Sequence, residues 1–277
     1  MRVDYSDILY QRKDGIATVT INRPAKHNAL RLGTFRELID ALEEAAKDES
    51  VGVVVLTGSG AKAFCAGGDL GMARDELRTL HDMRTHHIER MLRISALITQ
   101  MDKPVLCAVN GLCVGAGVEI ACFCDLVIAA DHASFYFNGT RIGGCLWWGP
   151  PQLLPLMVGL KKAQEILLFG KPVEAGEAQR IGLVNKVVSH GELGQEVEHW
   201  CQELLDCSPA GLAATKASLR ANLDLLLAPL NSVAELNACV EVGPQAQVAF
   251  AGFLSKQPVS WRSFRPKATT TRGITKE

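Results

Sequence analysis

Two glycine-rich turns carry the residues of this chain best suited to chemistry. The first is Val109–Glu119, VNGLCVGAGVE, which follows the apolar run Pro104–Val109 and precedes another, Asp125–Ala130. Gly111, Gly115 and Gly117 let the backbone turn where a side chain would clash. The spacing predicts a strand, a tight loop and a short helix from Ala116. The first N–H groups of such a helix lack an intrahelical partner and favour negative charge. The second turn is Lys62–Asp69, KAFCAGGD, which follows the apolar run Val51–Thr57. Two such turns could together grip one oxyanion. Each alone reads equally well as a tight turn with no chemistry. The pair, with Glu119 three residues after Ala116, points to an acid/base site. A carboxylate in a partly desolvated pocket gains pKa and exchanges protons near neutral pH. The plainer alternative is a surface or capping glutamate.

These turns need a rigid frame. Gly15–Ile21 alternates and is β-branched, which predicts a strand. A turn-rich connector, NRPAKHNA from Asn22 to Ala29, follows. Thr34 offers a helix cap with Glu37 completing a capping box, and Phe35, Leu38, Ile39, Leu42 and Ala45 share one face. Val51–Thr57 and 104–109 read as buried strands, giving an α/β pattern with a mainly parallel sheet covered on both faces. Leu70–His87 is charged and contains Arg74, His81, Arg84, His86 and His87. It reads as a solvated helix face or a mobile active-site segment. A metal site is disfavoured there, because adjacent His86 and His87 diverge on a helix. Ile88–Met101 regains an apolar stripe through Met91, Leu92, Ser95, Leu97 and Ile98. Ser134–Phe137 predicts a short strand before a long irregular loop ending at Pro151. Helices are predicted over Gln152–Val158, Lys161–Phe169 and Ala175–Ile181, the last closed by Gly182, before a strand at Val184–Val188. Beyond it the pattern is helical: Glu192–Asp206, Pro209–Leu227 and Ser232–Phe253. The chain thus divides into a core, 1–205, and a helical C-terminal layer, 206–277.

Composition narrows the function classes. The 277 residues are 48% hydrophobic with a net charge of −1, enough for a large core and with no basic run to meet nucleic acid. No run of eighteen apolar residues predicts a membrane span. The N-terminus lacks the apolar core of a signal sequence, and the expected compartment is the cytoplasm. Nine cysteines without CxxC spacing read as buried thiols in a reducing compartment. Cys122 and Cys124 read as core packing rather than a metal pair.

Several segments together resemble the crotonase, or enoyl-CoA hydratase/isomerase, family. They are NRPAKHNAL (Asn22–Leu30), AFCAGGDL (Ala63–Leu70), Lys103-Pro104, Asn110-Gly111, GAGVE (Gly115–Glu119) and CDLVIAA (Cys124–Ala130). AGEAQRIGLVN (Ala175–Asn185) and the closing FLSK (Phe253–Lys256) extend the match over nearly the whole chain. The resemblance implies a core of repeated ββα units wound as a spiral, with a helical layer that packs against neighbouring subunits of a homotrimer or dimer of trimers. It implies an acyl-CoA substrate, an enolate intermediate, and no cofactor beyond the coenzyme A of the substrate.

The family's positions transfer residue by residue. The oxyanion donors are the N–H groups of Gly68 and Ala116. Glu119 matches the first of two glutamates that a family hydratase uses as acid and base. The second position is Gly139, which has no proton to give, and Leu146, Trp147 and Trp148 stand where another branch places an aspartate. Hydration or isomerisation is the leading expectation. Ring-opening hydrolysis of a β-keto acyl-CoA, decarboxylation, and a structural CoA-binding subunit with little activity remain alternatives. Ala63, Phe64, Ala66, Asp69, Leu70 and Gly115 are expected to contact substrate. Asp69 also reads as a cap for the helix after Gly68. Trp147 and Trp148 either wall a bulky acyl pocket or pack in the core. Arg23, Lys26 and Lys62 either meet CoA phosphates or are ordinary surface charges.

Overall fold

In a computed structural model that describes residues 4–69, 71, 79–255, 257 and 259–265, the chain passes repeatedly between two sheets. It opens with the hairpin β1 (Ile8–Lys13) and β2 (Ile16–Ile21). Helix α1 (Leu32–Lys47) leads to β3 (Val53–Gly58) and the short β4 (Ala63–Cys65). A π-helical stretch, Met83–Ile88, runs directly into α2 (Glu89–Gln100). Next come β5 (Val105–Val109), β6 (Leu112–Val114), α3 (Ala116–Phe123), β7 (Leu126–Ala130) and β8 (Ser134–Tyr136). Helices α4 (Pro150–Val158) and α5 (Leu160–Phe169) precede β9 (Pro172–Glu174), α6 (Ala175–Arg180) and β10 (Lys186–Val188). The rest is helical: α7 (Leu193–Leu205), α8 (Pro209–Leu227), α9 (Leu230–Glu241) and α10 (Pro244–Leu254).

The larger sheet has the order β1-β2-β3-β5-β7-β10 and is parallel except for the opening hairpin. The smaller has the order β4-β6-β8-β9 and is parallel except for its last pair. Each of the pairs β3/β4, β5/β6 and β7/β8 places its first strand in the large sheet and its second in the small one. Strand alternation sorts the large sheet's side chains. Val54, Leu56, Val105 and Cys107 join α1 and α2 in the main core, while Val53, Val55, Leu106 and Ile128 pack under α7 with Leu193 and Cys201. Both faces are therefore covered, as continuous apolar strands require.

Several sequence expectations need correction. Helix α1 begins at Leu32, so Thr34 is its third residue rather than its cap. The Thr34 hydroxyl accepts from the Arg31 N–H at 3.2 Å and donates to Asp7 at 2.6 Å. Glu37 instead holds the incoming chain, accepting from the N–H groups of Ser6, Asp7 and Ile8 at 3.0, 2.7 and 3.2 Å. The first glycine segment is not one loop: it contains β6 between Gly111 and Gly115. The predicted helix Ser232–Phe253 is two, broken at Gly243-Pro244, where proline cannot continue a helical hydrogen-bond ladder. Cys207 and Cys239 are exposed rather than buried. Leu223–Glu241 has the length and mean hydropathy, 1.3, of a membrane span. Its backbone is interrupted at Ala228-Pro229, and Leu230, Ala234 and Ala238 are buried against the core.

Candidate active site

The turn after β4 is held from one side by Leu30. The Leu30 N–H donates to the Gly67 carbonyl and the Asp69 N–H donates to the Leu30 carbonyl, both at 2.8 Å. This bracket leaves the Gly68 N–H between two fixed neighbours and without a partner among the described residues. The turn after β6 lies against it. Gly67 and Gly115 both have positive φ, +88° and +53°. A Cβ at Gly67 would stand 3.1 Å from the Val114 carbonyl oxygen and 3.6 Å from the Gly115 Cα, so the two backbones touch there. Ala116 follows as the first residue of α3, where its N–H has no intrahelical acceptor and the helix dipole adds to its pull on an anion. Gly68 and Ala116 line one cavity of about 440 Å³.

Glu119 enters the same cavity one turn into α3 and is 3% exposed. Its Oε1 accepts from the Trp148 N–H at 3.1 Å. Burial pushes its pKa up, the Trp148 N–H pulls it down, the charge of Glu241 raises it, and the Trp147 N–H lowers it. Burial wins, and the carboxyl is pushed up to about 8. A group poised there both accepts and returns protons at neutral pH.

Ala66, Gly115, Gly139 and Trp147 also line the cavity. Trp148 does not; it is fully buried against Phe123, with ring centroids 5.4 Å apart, and acts on the site through its backbone N–H. Ala63 and Phe64 are buried in the core, with Phe64 among Val19, Leu38, Leu42 and Ile94, so neither wall faces the cavity. Arg23 is occupied structurally: it donates to Asp69 at 3.0 Å and to the Ala29 carbonyl, and it lies 3.6 Å from Asp7. Asp69 also accepts from the Gly71 N–H at 3.0 Å. Lys26 and Lys62 are exposed. Leu70 and Arg74 lie outside the described residues.

Gly139 opens a short turn through Arg141, and its φ is not positive. What requires glycine there is space. A Cβ would come within 2.7 Å of the Leu146 nitrogen and 2.8 Å of the Cys145 carbonyl carbon, both backbone atoms that cannot swing away.

The model of the enoyl-CoA hydratase/isomerase family matches residues 11–263. The chain belongs to this family. Its fold is that of solved crotonase-fold structures. An enoyl-CoA hydratase/isomerase from Xanthobacter autotrophicus Py2 is 29% identical with a TM-score of 0.85, over 95% of this chain and 100% of that one. Another from Mycobacterium paratuberculosis is 26% identical with a TM-score of 0.83, over 88% and 97% of the two chains. A monofunctional enoyl-CoA isomerase from M. smegmatis is 32% identical with a TM-score of 0.68, over 79% and 94%.

In this member of the crotonase family, parts of the cavity come from elements that motif reading missed. His87 stands on the π-helical stretch with its ring edge-on to Phe35 at 5.3 Å, while adjacent His86 is exposed. Burial, then the Arg90 charge, lowers His87 to about 4, so it is neutral at pH 7. Glu241, Ala246, Ala249 and Phe250 bring the helical C-terminal layer into the cavity wall. The sequence signal for His87 was its place in the charged segment. Glu241 belongs to no local motif.

Proposed function

We propose that this chain isomerises the double bond of an enoyl-CoA thioester through an enolate, with Glu119 as the base at Cα. The observation that carries the reading is the buried Glu119 carboxyl, raised to about 8, in the cavity that Gly68 and Ala116 also line. The thioester oxygen would sit between the N–H groups of Gly68 and Ala116, each donor contributing about 3–4 kcal/mol to the enolate. Glu119 takes the Cα proton, the electron pair moves into the enolate, and a proton returned at Cγ leaves the double bond conjugated with the thioester. Gly139 leaves that loop without the second glutamate of a family hydratase, which favours isomerisation over water addition. The 32% identity to the M. smegmatis isomerase supports the same choice.

Met83, Met91, Leu146, Trp147 and Phe250 give the cavity apolar walls suited to a hydrocarbon acyl chain. Lys26, beside cavity-lining His27, and Lys62, whose carbonyl accepts from Leu112 at 3.0 Å, would meet the CoA phosphates. Leu219, Leu225 and Leu236 of the helical layer are 65%, 80% and 67% exposed and would face neighbouring copies in a homotrimer or dimer of trimers.

The test is to supply the purified protein with 3-enoyl-CoA and, separately, with crotonyl-CoA. Conversion of the first to 2-enoyl-CoA at a rate well above hydration of the second is expected. Hydration as the faster reaction would overturn the isomerase reading.

A further inference from the structure

The cavity holds a second carboxylate, and it arrives from a part of the chain remote from the motifs. Glu241 is the last residue of α9, and it lines the same cavity as Glu119. Its position is defined by the Gly139–Gly144 loop. A Cβ at Gly144 would stand 3.9 Å from the Glu241 Cγ and 4.0 Å from its Oε1, and the Gly144 N–H donates to the Gly139 carbonyl at 3.0 Å. The Glu241 carboxylate therefore lies over the loop whose own side-chain position, Gly139, is closed to anything larger than hydrogen.

Helix α9 is fixed from both ends. Leu230, Ala234 and Ala238 are buried in the main core, and Glu235 accepts from Arg84 Nε at 2.7 Å, tying α9 to the π-helical stretch. One turn before Glu241, the Asn237 side-chain Oδ1 accepts from the Cys145 thiol at 3.0 Å, tying the helix to the same loop.

We propose that Glu241 is the second proton carrier of this active site: Glu119 takes the proton from Cα and protonated Glu241 delivers one to Cγ. This rests on the isomerase reading above. The step balances: the Cα–H bond breaks, its electron pair enters the dienolate, and the Cγ–H bond forms with the proton of Glu241. The double bond moves from β,γ to α,β. Turnover leaves Glu119 protonated and Glu241 ionised, and exchange with solvent restores the starting pair.

The groups around Glu241 suit the role. Burial raises its pKa, and the Asn237 amide beside it pulls the other way. A charge on either carboxyl disfavours a charge on the other, so the pocket holds one proton between them, and with that proton on Glu241 the Glu119 carboxylate is the base. Cys145, raised to about 11 by burial and then by both glutamates, stays a neutral thiol. His87, neutral on the opposite stretch, adds no competing charge.

Two rates separate Glu241 from Glu119 in the intact protein: exchange of the Cα proton of 3-enoyl-CoA with deuterated solvent, and isomerisation. Exchange needs only Glu119 and the oxyanion donors. In Glu241→Gln the ratio of exchange to isomerisation is expected to rise about 10²-fold or more, the scale of a lost general acid. Glu241→Asp keeps the acid but withdraws it by one methylene, and it should raise the ratio about tenfold. Glu119→Gln should lower both rates, each by about 10²–10⁴-fold. An unchanged ratio in both Glu241 variants, with wild type isomerising, overturns the role of Glu241 and leaves the isomerase reading standing. Wild type that neither exchanges nor isomerises overturns both.

Discussion

At Glu119 a full charge would be costly and a neutral carboxyl is not, so its chemistry follows from where α3 puts it. The helix carries it into an apolar wall, and the two tryptophan N–H groups only partly offset the burial. Glu119→Gln keeps the acceptor for the Trp148 N–H, so the fold should persist while turnover falls about 10²–10⁴-fold. Near-normal turnover in that variant, measured at saturating 3-enoyl-CoA, would remove Glu119 from the mechanism. Gly139→Glu is expected to give no gain in crotonyl-CoA hydration. The reason is steric rather than conformational: the added Cβ meets the backbone at Cys145 and Leu146, and such overpacking costs about 1–3 kcal/mol. A large gain in hydration would show instead that the loop can open and that the site is a lapsed hydratase.

Among the elements, the paired turns matter most, and they show what could be read in advance. Gly68, Ala116 and Glu119 sit in short segments whose glycine spacing announces a turn between strand and helix, and these segments meet at one cavity. Local pattern suffices there because local backbone geometry does the work. It failed at Thr34, because Asp7, remote in sequence, captures the hydroxyl that was expected to cap α1. It failed at Phe64, which shares the AFCAGGDL segment but alternates inward to the core on a three-residue strand. Glu241 was out of reach for a different reason. Its place depends on how α9 packs against the core, and no spacing within the helix records that. The Gly243-Pro244 break, by contrast, is a local signal, since that dipeptide marks a turn. The contact between the two turns leads to a further expectation. Gly67→Ala must hold φ near +88° and press on the Val114 carbonyl, costing about 1–3 kcal/mol. It should tilt the Gly68 donor and lower kcat more than it raises KM for the thioester, since the donor acts chiefly on the enolate. A change confined to KM would place Gly68 outside the oxyanion site.

For the whole molecule, the buried titrating groups give stability a signature with pH. Glu119 has its folded pKa raised to about 8 from about 4.5, so its contribution is fully present below 4.5 and is lost as pH rises through 8. His87 is lowered to about 4 from 6.5, so its neutral burial favours the fold above 6.5 and is lost as pH falls through 4. The two slopes oppose one another between 4.5 and 6.5. Above 6.5 the His87 slope is spent, and the Glu119 slope should remove about 2 kcal/mol by pH 8. Denaturant unfolding from pH 6.5 to 8 should show that decline in wild type and a flatter profile in Glu119→Gln. Equal slopes in the two proteins would mean that Glu119 titrates normally. Ending the chain after Leu205 removes Glu241 and Phe250 from the cavity and bares the core beneath α9. The shortened protein should lose turnover and either aggregate or sediment as a monomer. A soluble product with the native oligomer mass would refute the interface assigned to the helical layer. The covering of the large sheet also bears on how the chain is made. Ile16, Val53, Val55, Leu106 and Ile128 emerge from the ribosome well before α7, the helix that shields them. Through most of synthesis the nascent chain therefore displays a broad, water-averse β face with no internal partner, and that face is where a chaperone would hold it.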